Sequence, residues 1–270
     1  MPVAEVTKPT RAQANLVYLI PPNNFLSIRD GVLDIETRPE RASLPMAINS
    51  FFKSLAEDQG RRSIGIVVSG NETDGSHGLE AIREAGGMTL AQSPETADFD
   101  GMPRSAIRGR MVDCIMPVEQ MPEAVIQYAH HGYTLSADDG EQPDSEDEAT
   151  WSSILEMLRT RHSHDFSCYK PGTISRRIAR RMGLRQVANQ KDYLRLLRED
   201  DEEVDRLLDD LLIGVTSFFR TPEAFEYLQK EVLPDIITTS SQHPGEPIRI
   251  WVPGCSTGQE AYSLAIAFME

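Results

Sequence analysis

Apolar positions in the first 133 residues alternate between two periods. Residues 17–20, 64–68 and 112–116 are short apolar runs, and 47–55 places Ile48, Phe51, Phe52 and Leu55 on one helical face. Residues 25–28 and 32–35 flank Asp30-Gly31, which predicts a hairpin with a two-residue turn. The continuous run at 64–68 reads as a buried parallel strand. Helical spacing at 75–85, an extended stretch at 88–91 and a closing helix at 121–129 complete a strand–helix alternation, which predicts a parallel α/β sheet.

Beyond residue 150 the period becomes helical. Residues 151–161, 174–184, 191–199, 204–213 and 223–238 all repeat near 3.6, and Pro171-Gly172-Thr173 offers a helix start with Thr173 as its cap. The pattern then switches to an apolar strand at 248–252, a small-residue turn at 253–258 and a helix. Strand, glycine turn and helix is how doubly wound folds bring backbone N–H groups to a nucleotide-like ligand. Between the two halves, 136–150 is acidic and lacks large apolar side chains, which predicts a flexible linker; a solvated helix face is the alternative.

Charge sharpens this division. The net charge of −15 argues against general nucleic-acid binding. Residues 134–150 carry seven acids and no base, whereas 159–191 carry nine Lys and Arg and one acid. In that basic stretch Arg176, Arg177, Arg180, Arg181 and Arg185 share a helix with an apolar stripe of Ile174, Ile178 and Met182. Such a row of arginines points to an anionic partner, or to a solvated face balanced by acids such as those at 200–203. Cys114, Cys168 and Cys255 lie far apart, form no metal-ligand spacing and read as reduced cytoplasmic thiols. No run is long enough to insert in a membrane, and the N-terminus lacks a signal-peptide core.

Two motifs bear chemistry. Asp74 lies in the turn S-G-N-E-T-D-G-S-H-G (69–78) at the carboxyl end of the 64–68 strand, where open α/β sheets carry their sites; spacing alone favours a cap of the next helix. This turn, with V-Y-L-I-P-P-N (17–23), F-F-K-S-L-A-E-D (51–58), A-G-G-M-T-L-A-Q (85–92) and D-G-M-P-R-S-A-I (100–107), resembles the C-terminal half of the CheB-type protein-glutamate methylesterases. The resemblance implies that Asp74 is the acid of a Ser-His-Asp triad. The family's serine turn and histidine have no counterpart here. The second turn glycine is Glu72, and the family's Pro-Ile-Asp is Ala47-Ile48-Asn49. The expectation is a degenerate methylesterase domain without ester hydrolysis.

The second motif set is D-F-S-C-Y-K-P-G-T-I-S-R-R-I-A-R-R-M (165–182), V-T-S-F-F-R (215–220) and R-I-W-V-P-G-C-S-T-G-Q-E-A-Y-S (249–263). It resembles the CheR-type protein-glutamate methyltransferases, which use S-adenosylmethionine (SAM). The resemblance implies that Thr216, Arg220, Gly254, Gly258 and Glu260 bind SAM, with Arg220 also near the methyl-transfer site. It further implies that Arg177, Arg180 and Arg181 face acidic methylation-region helices of chemoreceptors or sensor proteins. Gly214, Gln259 and Ala261 depart from that family's pattern, as do Pro253 and Gly254.

Together these readings predict four regions. Residues 1–133 are a partial parallel-sheet methylesterase-like domain, 134–150 the linker and 151–212 a small all-α domain. Residues 213–270 are the first strand–turn–helix of a Rossmann-like SAM domain. The order resembles fused CheB/CheR proteins of two-component signalling, here cut at both ends. That would leave this chain alone inactive, and 245–270 poorly packed. The alternative function is a non-catalytic module that binds receptors or sensors.

Overall fold

The computed structural model describes residues 1–37, 46–135, 148–166, 169–213, 218–241, 247–256 and 258–269. It divides into two compact units, Met1–Leu211 and Leu212–Glu270.

In the first unit, β1 (Val3–Glu5), β2 (Thr10–Arg11) and β3 (Val17–Leu19) are short, and β1 pairs with β3 in parallel. β4 (Asn24–Arg29) and β5 (Val32–Thr37) form the expected hairpin, and β2 extends it. Asp30 and Gly31 both have positive φ, +51° and +72°, the geometry that matches strand twist in a two-residue turn. Leu26, Ile28 and Leu33 from this hairpin pack with Phe51 and Leu55 of α1 (Ala47–Gln59).

β6 (Ile64–Val67), α2 (Ser76–Glu84), β7 (Met88–Gln92), α3 (Gly101–Arg108), β8 (Cys114–Met116), α4 (Met121–His130) and α5 (Gly132–Leu135) follow. The strands form a parallel sheet in the order β6–β7–β8. β7 is central and buried along its whole length. The 64–68 run is not buried on both faces as expected: β6 is an edge strand, with Val67 inside and Ile66 38% exposed. Ile66 borders an apolar cavity of about 610 Å³ shared with Leu26, Ile28, Phe51 and Phe52, so its apolar character still serves packing.

α6 (Glu148–His162), α7 (Pro171–Leu184), α8 (Gln190–Glu199) and α9 (Asp201–Leu211) pack around Trp151, Ile154, Leu158, Ile174, Ile178, Leu197, Val204 and Leu207. α7 begins at Pro171, one residue into the helix where proline's missing N–H costs nothing, so Thr173 lies inside the first turn and is not the cap. Of the acidic segment, 136–147 lies outside the described residues, and 148–150 is the first turn of α6, with Thr150 buried.

The second unit holds α10 (Pro222–Tyr227), which runs through a π turn, Leu228–Val232, into α11 (Leu233–Ser241), and then α12 (Gln259–Met269). Residues 248–252 do not form the expected strand. A strand is completed by a neighbour's hydrogen bonds, and none of the described residues of this unit supplies one. Ile248, Ile250 and Trp251 are exposed, the last at 87%.

Candidate functional site

Three groups of residues carry chemistry. Asp74 is buried, and both its oxygens are used by backbone N–H groups. Oδ2 accepts from Ile48 at 2.9 Å; Oδ1 accepts from Asn49 at 3.0 Å and from Gly75 at 2.8 Å. Ile48 and Asn49 belong to the first turn of α1, whose own cap position, Met46, makes no side-chain hydrogen bond to the backbone of that turn. Asp74 therefore caps α1 from 25 residues downstream, not the helix that follows it, whose cap position is Gly75. Asn49 reciprocates: its Oδ1 accepts the N–H of Gly78 in the first turn of α2 at 2.7 Å. No described histidine hydrogen-bonds Asp74; His77 is exposed and lies 3.6 Å from Glu80.

The basic helix is turned inward. Arg177, Arg180 and Arg181 are buried, Arg180 completely. Arg180 donates from Nε and Nη2 to Gly87 O (3.1 and 2.8 Å), from Nη2 to Asp113 Oδ2 (2.6 Å) and from Nη1 to Asp210 Oδ2 (2.5 Å). Asp210 also accepts from Arg83 of α2 at 2.6 Å. Arg177 donates to Arg83 O and Glu84 O, each at 3.2 Å. Arg181 and Glu203 form a two-point pair at 2.6 and 2.9 Å, and Tyr193 donates to the same carboxylate at 2.9 Å. The sequence reading turned these three arginines toward an external anion. The structure fills their donors from within, because buried guanidinium groups must be paired and hydrogen-bonded. Arg176 alone of the five is exposed, and Arg185 pairs with Asp200 at 2.9 Å.

Electrostatics follow from this packing. Burial opposes the charge on Arg180, but Asp113 and Asp210 outweigh it and hold the guanidinium above its usual value. Burial would raise Asp210, yet Arg180 and Arg83 draw it down to about 2. Arg177, facing carbonyls rather than carboxylates, is lowered by burial and by neighbouring Arg180. Burial beside Asp113 pushes the Cys114 thiol up.

Sequence reasoning missed Asp113, Asp210 and Arg83. The signal for Gly87 was present in A-G-G-M. A Cβ at Gly87 would lie 2.4 Å from Ser63 O, and one at Gly86 would lie 2.5 Å from the Tyr133 hydroxyl. Both glycines permit the close packing that presents Gly87 O to Arg180.

In the second unit the described cofactor candidates converge in part. The N–H of Phe219 donates to Ser263 Oγ of α12 at 2.9 Å, and the Phe218 and Tyr262 rings lie 6.5 Å apart. This sets the segment ending in Arg220 against the first turns of the helix whose first turn carries Glu260. Gly254 (φ +68°), Ser256 (+52°) and Gly258 (+98°) all have positive φ, so the turn before α12 needs small residues. A Cβ at Gly254 would meet nothing within 4 Å, leaving the backbone approachable. Thr216 lies outside the described residues. Arg220, Glu260 and the open turn suit a zwitterionic amino-acid group: a carboxylate for an ammonium, a guanidinium for a carboxylate and N–H groups at a helix start.

The sequence matches three family profiles in order. They are CheB methylesterase at residues 1–125, the all-alpha domain of CheR methyltransferase at 149–212 and its SAM binding domain at 214–270. An uncharacterised 104.1 kDa protein of Rhodobacter capsulatus is 36% identical over 290 aligned positions, covering 100% of this chain and 30% of the relative. A protein-glutamate methylesterase/protein-glutamine glutaminase of Anaeromyxobacter dehalogenans is 34% identical over 113 residues, 42% of this chain and 33% of its own. The chain thus spans about a third of the length of these curated relatives. The CheB methylesterase catalytic domain of Thermotoga maritima superposes with a TM-score of 0.42 and 23% identity, over 45% of this chain and 67% of that domain.

Proposed function

We infer the function of this chain from what it is: a CheB methylesterase region followed by the all-alpha and SAM-binding regions of a CheR methyltransferase. It serves chemotaxis-type signalling, in SAM-dependent methylation of glutamate side chains on chemoreceptor-like proteins, while its methylesterase region does not turn over esters. The observation that carries this reading is the second unit, where the Arg220 segment is hydrogen-bonded to the helix that bears Glu260.

When bound, SAM supplies an electrophilic methyl group for transfer to a carboxylate oxygen. Glu260 would hold the ammonium of its amino-acid end, Arg220 would pair with its carboxylate, Thr216 would add a hydroxyl, and Gly254 and Gly258 would let the backbone approach. For the methylesterase region, the support is Asp74. Its two oxygens accept from three backbone N–H groups, most of a carboxylate's capacity, and no described histidine hydrogen-bonds it.

Isothermal titration of the whole chain with SAM tests the reading. Binding is expected for the native chain, with at least a tenfold loss for Glu260→Gln, roughly the 1.4 kcal/mol that a weakened charge-assisted hydrogen bond represents. Folded protein with no SAM affinity would refute it and leave a non-catalytic receptor- or sensor-binding module.

A further inference from the structure

The methylesterase-like region and the helical region meet along one face of α7, within a single compact unit. The seam has an apolar part and a charged part. Ala179 and Leu184 of the helical region pack against a cluster containing Met88, Tyr128 and Tyr133. Gly183 lies close enough that a Cβ there would touch Tyr133 at 3.4 Å, and His131 Nε2 lies 3.1 Å from Val187 O. Beside this, Arg180 reaches Gly87 O and Asp113 on the methylesterase side, and Arg83 reaches back to Asp210 of α9. Arg177 spends two donors on the last turn of α2.

The two sides of the seam do not contribute alike. Arg181 is satisfied inside the helical region by Glu203, whose carboxylate Tyr193 also holds, and separating the regions would not release it. Arg177 and Arg180 are different: most of their acceptors lie across the seam. If the regions part, Arg177 loses both carbonyl acceptors, and of the acceptors described above Arg180 keeps Asp210. Arg177 and the Nε and Nη2 donors of Arg180 would then be open on one helix face beside Arg176.

We propose that the methylesterase-like region acts as an intramolecular inhibitor of the basic helix. By offering Gly87 O, Asp113 and the carbonyls of Arg83 and Glu84, it occupies Arg177 and Arg180 and withholds them from an acidic helix of another protein. The proposal rests on the reading of α7 as an acidic-partner surface and adds a new role for the first 135 residues: they regulate access rather than hydrolyse esters. An acidic partner must compete with acceptors already in place, so the closed chain binds weakly and opening precedes tight binding.

The test uses the full chain and a 20-residue Glu-rich helical peptide as probe. Arg83→Ala with Asp113→Asn removes two charged contacts of the seam without touching α7. The double variant, with native far-UV circular dichroism, should bind the peptide at least tenfold more tightly than the unmodified chain. Adding Arg177→Gln to it should abolish the gain. Equal affinity for the unmodified chain and the double variant would overturn the inhibitory contact and leave the acidic-partner reading standing. No binding by the folded double variant would overturn both.

Hydrogen exchange on the unmodified chain gives an answer that needs no variant. Saturating peptide should protect α7 and increase exchange at residues 86–90 and 131–135. Protection of α7 with those segments unchanged would overturn the proposal.

Discussion

Replacing Asp74 by asparagine keeps the side chain's shape but removes its charge and one of its two acceptor oxygens. If the remaining oxygen keeps Asn49 and Gly75, the new amide NH₂ faces the N–H of Ile48, donor against donor. A buried hydrogen bond to a charged group contributes about 1.5–3 kcal/mol, and loss of a helix cap costs about 0.5–2 kcal/mol. These describe overlapping interactions, so the expected loss is about 2–3 kcal/mol for Asp74→Asn and slightly more for Asp74→Ala. That is a large share of the roughly 5–15 kcal/mol that holds a domain folded. Urea unfolding of the full chain at pH 7, followed by far-UV circular dichroism, reads the change as a lower midpoint at unchanged slope. If both variants unfold within about 0.5 kcal/mol of the unmodified chain, Asp74 is not the anchor of α1 and the argument fails.

Two further outcomes follow from the buried charges. Glu203→Gln should cost about 3–5 kcal/mol in the same urea assay, because it leaves Arg181 buried without a counter-charge, whereas Glu203→Met with Arg181→Met should cost far less. A single-variant loss below about 1 kcal/mol would contradict this. Asp210 is held at about 2, below the value near 4 of an unfolded aspartate. Its contribution is therefore complete above about pH 4 and fades as pH falls toward 2. The urea midpoint should drop more steeply between about pH 4 and 2 in the unmodified chain than in Asp210→Asn; parallel profiles would refute the assignment.

Periodicity made most of this fold legible. The Asp30-Gly31 hairpin, the parallel strands and the helices beyond residue 150 all leave local patterns, because each buries an apolar stripe. What stayed hidden is non-local. The eight-residue α3 went unread, since Gly101-Met102-Pro103 looks like a loop until Asn71 O closes on Gly101. Asp74 was legible as a turn residue beside a strand end, but not as the cap of a helix lying before it in sequence. The arginines were legible as a charged row, and the acids at 200–203 as balancing charges, which Arg181 and Arg185 use; that the counter-charges of Arg180 sit 30 and 67 residues away could be learned only from the fold. The strand at 248–252 failed for the same reason in reverse, because local apolar pattern cannot supply a neighbour.

Gly87 meets Arg180 through its carbonyl oxygen, so half of this seam is written in main chain. Every residue has that oxygen, and no charge swap on the far side could restore the contact between Gly87 and Arg180, as one at Asp113 could for the ion pair. Among natural variants, the constraint would surface as retention of a small residue at 87, not as paired substitutions, and a search for covarying charges would pass over it. For anyone exchanging modules between such proteins, compatibility would depend on whether the recipient backbone can come this close to a guanidinium.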